Sequence, residues 1–391
     1  MTAASIPSKV AIVGVGETEP LRRDSRPFKT MIMQAVERAV ADAGLRASDI
    51  DGFVTESATM PSDMPAEAVV AGLGAPMPAS PFIAYGLHYG AGLVAAAQIA
   101  EIALTAGLAK YLVCWYGHQL SRSADGPRAI YAEDPLKADL EMPSGWFGQP
   151  VYFAAIAQRY AHEYGLTGEQ LSAVAIEARE HAQRTPGAMK QQPLDIAAYL
   201  ASPMVAEPLR TPDCCLVNDG AIAFVMTTAE RAKDLAQPLV TVAGVGTGCS
   251  EIIGDTWFTQ NRTYLTTPAA ISGPKAFERA GMRPADIDFA ELYDCFSINT
   301  ILQYEDLGFV QKGEGAAFAL AKGRGLDGRL PTNTHGGLLS HALMLGGGHV
   351  IEAVRQLRRS RGDGQVPGAS VGLVTALGVP HHATMILQGG L

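Results

Sequence analysis

Charge is sparse in this chain. Charged residues make up 18% of its 391 positions and lean acidic, with a formal net charge of -9. A surface of that sign has no general affinity for polyanions, so nucleic acid is not an expected partner, although a local basic patch for a cofactor phosphate stays compatible with it. Cysteine is also scarce: Cys114, Cys214, Cys215, Cys249 and Cys295 are odd in number and none is spaced as CxxC. Neither a disulfide framework nor a structural zinc site follows from them. The opening stretch lacks a basic region, a long apolar core and a small-residue cleavage site, so no secretory signal is read and the cytoplasm is the expected location. Long apolar runs are missing as well. The stretch from Gly90 to Leu112 is interrupted by Gln98, Glu101 and Lys110, and reads as a buried helix leading into a strand, not a membrane span. Gly14 and Gly16 lack the later glycine and acidic residue of a dinucleotide fingerprint, which argues against a nicotinamide site.

What is present is apolar and flexible in the right proportions for a compact enzyme-like body, with 48% hydrophobic residues and 42 glycines. The length suits two core-forming units or one large fused α/β body. An internal repeat favours two related halves. Ala43-Gly44-Leu45-Arg46-Ala47-Ser48-Asp49-Ile50-Asp51 returns as Ala280-Gly281-Met282-Arg283-Pro284-Ala285-Asp286-Ile287-Asp288. Each copy closes a helical pattern, Met31 to Ala43 and Pro274 to Ala280, and runs into an apolar strand, Gly52 to Thr55 and Phe289 to Leu292. Each is preceded by a β-branched opening strand, Lys9 to Gly16 and Leu239 to Gly246, read as ending in glycine turns. A weaker correspondence pairs Ala95 to Leu104 feeding Tyr111 to Cys114 with His349 to Leu357 feeding Ser370 to Thr375. Strands alternating with helices predict mixed, largely parallel sheets covered on both faces. The halves are read as 1–235 and 236–391. Within the first, about 117–210 is a large excursion containing a helix from Gln149 to Tyr164 and another from Gly168 to Arg184, opened by a capping box of Thr167 and Gln170.

The excursion sequence RYAHEYGLTGEQLSAVAIEAREHAQRTPGAMKQQPL, then AEPLRTPDCCLVNDGAIAFVMTTAERA, resembles the sterol-carrier-protein thiolases, also called lipid-transfer proteins. Val10 to Gly16, Glu291-Leu292-Tyr293-Asp294-Cys295-Phe296-Ser297 and Asn333-Thr334-His335-Gly336-Gly337-Leu338-Leu339-Ser340 continue the match in the family's order. The resemblance implies an α/β thiolase fold in five αβαβα layers, a homodimer, and a coenzyme A thioester bound as substrate beneath the excursion, with no bound metal or cofactor in this chain.

It also exposes departures. The family's nucleophilic cysteine corresponds to Leu87, the second cysteine to Ala376 before Leu377 and Gly378, and the histidine after Gly-Gly-Leu-x-Ser to Leu343. A leucine cannot form an acyl-enzyme. A shift of one residue would bring His88 or His341 closer. Tyr293 stands where the family has the histidine of His-Asp-Cys-Phe, as in the related cysteine-less steroid side-chain aldolases, whose second tyrosine falls near Leu343. That branch implies retro-aldol cleavage of a β-hydroxy acyl-CoA into a ketone and a short acyl-CoA such as propionyl-CoA. It also implies work alongside a small OB-fold, zinc-ribbon protein of the DUF35 type. The base that takes the hydroxyl proton would be Tyr293, with a lowered pKa, and His335 and His341 would move protons. Asp294 reads as an orienting or structural carboxylate. Gly378 would offer an amide to an oxyanion, and the glycines at 336, 337 and 346–348 would let backbone approach a ligand. Each has a plainer alternative: Tyr293 a half-buried ring with a tied hydroxyl, the histidines structural hydrogen-bonding groups, the cysteines small buried hydrophobes, the glycines tight turns. An acyltransferase and a catalytically silent acyl-CoA-binding subunit remain the competing functions.

Overall fold

The computed structural model describes residues 9–55, 64–86, 91–121, 137–146, 148–252 and 257–390. Leu87 and His88 therefore lie outside the described residues. Eleven strands are assigned: β1 (Val10–Glu17), β2 (Gly52–Thr55), β3 (Phe82–Tyr85), β4 (Leu112–Gln119), β5 (Met204–Ala206), β6 (Leu209–Arg210), β7 (Asp219–Thr228), β8 (Val240–Cys249), β9 (Phe289–Glu291), β10 (Val371–Gly378) and β11 (His381–Gly389).

Nine of them form one ladder in the order β3-β2-β4-β7-β1-β8-β11-β10-β9. It reads as two copies of one pattern joined at their edges. In the first copy β1 pairs antiparallel with β7, β7 antiparallel with β4, and β4 parallel with β2. In the second, β8 pairs antiparallel with β11, β11 antiparallel with β10, and β10 parallel with β9. A single antiparallel pair, Ala11 with Thr241, joins them.

The repeated nonapeptide has a repeated job. Arg46 N donates to Asp49 Oδ2 at 2.9 Å and Arg283 N to Asp286 Oδ2 at 2.7 Å, closing matching short turns. Asp51 then accepts from Lys110 N and Tyr111 N at 2.7 and 3.0 Å, while Asp288 accepts from Ser370 N and Val371 N at 2.8 and 2.9 Å. Each aspartate ties its own strand to the start of the parallel neighbour, β4 or β10, where unpaired amides would otherwise face the interior.

Alternation along β1 sorts side chains into two layers. Ala11 and Val13 pack with Met31, Ile32, Ala35 and Ala39 of the Phe28–Asp42 helix, whereas Val10 and Ile12 face the larger core. The helices Gly92–Thr105 and Leu345–Leu357 touch each other and strands of both copies, which makes them the middle layer. Helices Phe28–Asp42 and Ala269–Ala280 cover the outer faces, completing αβαβα. Gly92–Thr105 is apolar nearly all round, as a helix enclosed by sheets must be. Among the described residues no helix is long and apolar enough to cross a membrane.

Four details differ from the sequence reading. The sheets expected to be largely parallel pair mostly antiparallel, with parallel pairing confined to β3-β2-β4 and β10-β9 within the ladder. Gly14, Gly16, Gly244 and Gly246 lie inside strands, not in turns after them. A Cβ on Gly16 would stand 2.2 Å from Ala35 O, and one on Gly246 would stand 2.0 Å from Ser272 O, so these glycines let each outer helix lie against its sheet. The second outer helix begins at Ala269, five residues before Pro274, which it carries inside. The excursion starts later, because β4 continues through Gln119.

Candidate active site

β9 stops at Glu291, and Asn333 takes over as a side-chain substitute for a strand. Its Oδ1 accepts from Leu292 N at 2.7 Å and its Nδ2 donates to Leu292 O at 2.9 Å. The next residue, Tyr293, is 7% exposed. Its amide donates to Thr375 Oγ1 at 2.8 Å, and its carbonyl accepts from Asn299 Nδ2 at 2.5 Å and Gln303 Nε2 at 2.9 Å. Thr375 Oγ1 donates onward to Gln303 Oε1 at 2.6 Å, so backbone, hydroxyl and amide form a closed frame around the tyrosine.

Asp294 is buried beside it. Its Oδ1 accepts from Leu338 N at 2.8 Å and faces His349 Nε2 at 3.4 Å. That arrangement fits the orienting role expected of it better than that of a base. Gly336 and Gly337, with φ of 105° and 58°, turn the chain so that these amides reach it. At Gly337 any Cβ would sit 2.0 Å from Asp294 Oδ2, and at Gly336 it would meet Ala182 of the excursion at 2.6 Å. The excursion helix Gly168–Gln183, with its Thr167–Gln170 capping box in place, presses on this loop. His181 Nδ1 lies 3.0 Å from Thr332 O, and Arg179 Nε donates to Ser340 Oγ at 3.0 Å.

Beneath Tyr293 lies a polar cluster inside an otherwise apolar core. His335 Nδ1 is 3.0 Å and His349 Nδ1 3.8 Å from Glu291 Oε2. The His335 ring stands 5.0 Å from that of His341 and 5.3 Å from that of His349, while Tyr293 meets His349 edge-on at 6.5 Å. Burial lowers the pKa of His335 and takes that of His341 down to about 4, so both rings are held neutral at physiological pH. Glu291 and Glu352 share Thr334, whose hydroxyl lies 2.7 Å from Glu291 Oε1 and 2.6 Å from Glu352 Oε1. Burial and the neighbouring Glu352 push Glu291 up, whereas Glu352 falls under the charge of Arg361, whose Nε is 2.8 Å away. One threonine hydroxyl carries one proton, so it cannot donate to both carboxyl groups at once.

Tyr293, Asp294, His335 and His341 are thus brought together. Leu343 follows on the same loop, clamped by Asn218, whose Oδ1 accepts from Leu343 N at 2.7 Å and whose Nδ2 donates to Leu343 O at 3.3 Å. Gly378 sits where β10 turns back to β11, in register with His381. Ala376 faces the start of the Leu345–Leu357 helix, where a Cβ on Gly346 would be 2.4 Å from its own. A Cβ on Gly347 would meet Ile222 at 1.7 Å, so these helix glycines serve close packing between sheets. His382 lies elsewhere in the core, 2.7 Å from Ser272 Oγ. Four of the thiols are held inert by burial. Burial raises Cys215 to about 12 and lifts Cys114, Cys214 and Cys295 further, which leaves them protonated.

Three residues of the cluster, Glu291, His349 and Glu352, escaped the sequence reading, as did His118 elsewhere in the core. The signal for two of them was a polar stripe, His349, Glu352 and Gln356, at helical spacing in a buried helix. His118, the next-to-last residue of β4, pairs with Gly220 and is 1% exposed, with Asn218 and Asp219 beside its ring.

Several known proteins are similar to this chain. Residues 251–389 match the family described as "Thiolase C-terminal domain-like". A "Steroid side-chain-cleaving aldolase" of Thermomonospora curvata is 33% identical over 96% of this chain and 97% of its own. A "17-hydroxy-3-oxo-4-pregnene-20-carboxyl-CoA lyase" of Mycobacterium tuberculosis is 34% identical over 95% of this chain and 97% of its own. Among solved structures, one described as "Ltp2-ChsH2(DUF35) aldolase" superimposes with a TM-score of 0.90 at 31% identity, covering 99% of both chains.

Proposed function

The chain belongs to the thiolase superfamily, in the branch of the side-chain-cleaving aldolases, and from that membership and its site we propose a carbon–carbon lyase acting on a β-hydroxy acyl-CoA. The observation that carries the reading is a framed tyrosine at the position where the sequence resemblance gives the family a histidine. The Tyr293 backbone is fixed by Thr375, Asn299 and Gln303, while Leu343 and Ala376 stand at the positions that the sequence resemblance gives to a histidine and the second cysteine. On the same resemblance Leu87 stands for the nucleophilic cysteine, and a leucine forms no acyl-enzyme.

Retro-aldol cleavage needs none. Tyr293 takes the proton of the β-hydroxyl, the bond between Cα and Cβ breaks, and its electron pair moves into the enolate of the departing thioester as the carbonyl product forms. The enolate carbon then receives a proton through the His335 and His341 pair. No water, reductant or free coenzyme A is consumed. General acid–base help of this kind contributes roughly 10²–10⁴ in rate. The relative's name places a hydroxyl at carbon 17 and the thioester on carbon 20, which is this β-hydroxy relation, with a ketone and propionyl-CoA as products. A bulky, steroid-like acyl group is therefore the proposed substrate. A DUF35-type OB-fold protein is the proposed partner, because the solved aldolase of this fold is described with one. A homodimer and a cytoplasmic location complete the proposal.

Mass spectrometry of products tests it. The protein is incubated with such a β-hydroxy acyl-CoA, with and without the OB-fold partner. Ketone plus short acyl-CoA, lost in Tyr293→Phe, is the expected result. Products that require free coenzyme A, or bound substrate that never turns over under either condition, would overturn it.

A further inference from the structure

We propose that Glu291, His335 and His349 form a binding site for one first-row divalent metal ion, held by Glu291 Oε2 and the Nδ1 atoms of the two histidines. These three residues each offer a ligand atom, all within 4.8 Å of one another, and all three are buried. His335 Nδ1 and Glu291 Oε2 approach to 3.0 Å, yet neither has a hydrogen-bond partner among the described residues, and nor does His349 Nδ1. Three buried polar atoms left without a partner at this spacing are what a shared ion would satisfy. Two imidazoles and a carboxylate, with positions left over and no thiolate, suit Zn²⁺, Fe²⁺ or Mn²⁺.

The carboxylate's other oxygen is already tied, whereas the far nitrogens of the two rings, His335 Nε2 and His349 Nε2, have no hydrogen-bond partner among the described residues. Glu291 Oε1 accepts from Thr334 N at 2.9 Å and Thr334 Oγ1 at 2.7 Å, which leaves Oε2 as the outward atom. His349 turns its other nitrogen, Nε2, to Asp294 Oδ1 at 3.4 Å, and Asp294 is itself held by Leu338 N. A carboxylate behind a histidine is the usual means of fixing a metal-binding ring. Formal charge points the same way. Among the described residues Arg361 is the one arginine or lysine paired with Glu291, Glu352 or Asp294, their other partners being histidines, and the Glu17 and Arg355 pair beyond them cancels itself. Buried carboxylates in excess need protons or a cation to offset them. One divalent ion balances the set.

The site stands without any assumption about the reaction. Its role does rest on the retro-aldol reading: the Tyr293 ring meets the ligand ring of His349 edge-on at 6.5 Å, which puts the ion beside the reacting tyrosine, and His335 keeps Nε2 for proton movement.

The test uses the full chain, stripped with a chelator and titrated with Zn²⁺ or Co²⁺. Expected are one ion retained per chain after desalting, a Co²⁺ spectrum distinct from that of the aqueous ion, and a rise in melting temperature on loading. Glu291→Gln keeps the shape and the Thr334 contacts, so it should fold like the wild type and lose binding by at least tenfold. Asp294→Asn, behind the histidine, should weaken binding by roughly tenfold. Metal well below one per chain with an aqueous Co²⁺ spectrum would overturn the site, as would binding unchanged in Glu291→Gln. Cleavage by a metal-free protein would remove only the catalytic role, and binding without cleavage would leave the site intact while refuting the lyase.

Discussion

Thr375→Val removes one oxygen and changes almost no volume, so its effect isolates the frame around Tyr293. Thr375 is fully buried, accepts from the Tyr293 amide at 2.8 Å and donates to Gln303 Oε1 at 2.6 Å. Leaving the Tyr293 amide unpaired in the core costs about 1–3 kcal/mol, and Gln303 Oε1 keeps only His382 Nε2 at 3.4 Å. The added methyl returns about 0.8 kcal/mol. The net expectation is a loss of about 2 kcal/mol, read as a lower urea midpoint at unchanged m-value. Thr375→Ser keeps both hydrogen bonds and should lose only about 1 kcal/mol, for a missing methyl. The two variants separate further in other readouts. The Tyr293 amide should exchange with solvent much faster in the valine variant, and its turnover should fall by roughly tenfold to a hundredfold, since small misplacements of a catalytic group carry such penalties. If valine and serine variants proved equally stable, equally protected and equally active, the frame would have no part in positioning Tyr293.

Two other expectations follow from geometry. Gly337→Ala would force a side chain into a left-handed backbone, with its Cβ 2.0 Å from Asp294 Oδ2. It should cost about 2–4 kcal/mol in urea unfolding and break the Asp294 link to the Leu338 amide. The second concerns pH. Burial takes the pKa of His118 down from 6.5 to about 4 and that of His382 to about 3, so the unfolded chain takes up these protons first as pH falls. Stability is full above about 6.5 and drains away on acidification toward pH 4, by about 1.4 kcal/mol per pH unit for each ring. Between pH 7 and 5 the wild type should therefore lose about 2 kcal/mol more than His118→Asn in paired urea titrations. Parallel losses in the two proteins would refute the assignment.

Much of the scaffold could be read from the chain because its devices are local. The nonapeptide at 43–51 and 280–288 announces itself by repetition, and the aspartates that end it tie strands in the same way in both copies. The Gln149–Tyr164 helix and the Thr167 cap follow from spacing and cap chemistry alone. The glycines of β1 and β8 misled because a strand glycine and a turn glycine look alike until the helix that needs the room, through Ala35 and Ser272, is in view. The site was half legible. Tyr293, Asp294, His335 and His341 sit in recognisable runs, but Glu291, His349 and Glu352 gain meaning only when β9, the 332–341 loop and the middle helix converge across more than forty residues of sequence. His118 was invisible for the same reason, since its neighbours Asn218 and Gly220 arrive from β7.

The central claim is that Tyr293 starts a retro-aldol cleavage without covalent capture of the acyl group. The most direct measurement is cleavage of a β-hydroxy acyl-CoA in heavy water with no free coenzyme A present, with isotope analysis of the short acyl-CoA released. The account predicts product carrying one solvent deuterium at the α-carbon in each turnover, formed at a rate that collapses in Tyr293→Phe. Product that appears only when free coenzyme A is supplied, or that forms equally well in Tyr293→Phe, would contradict it.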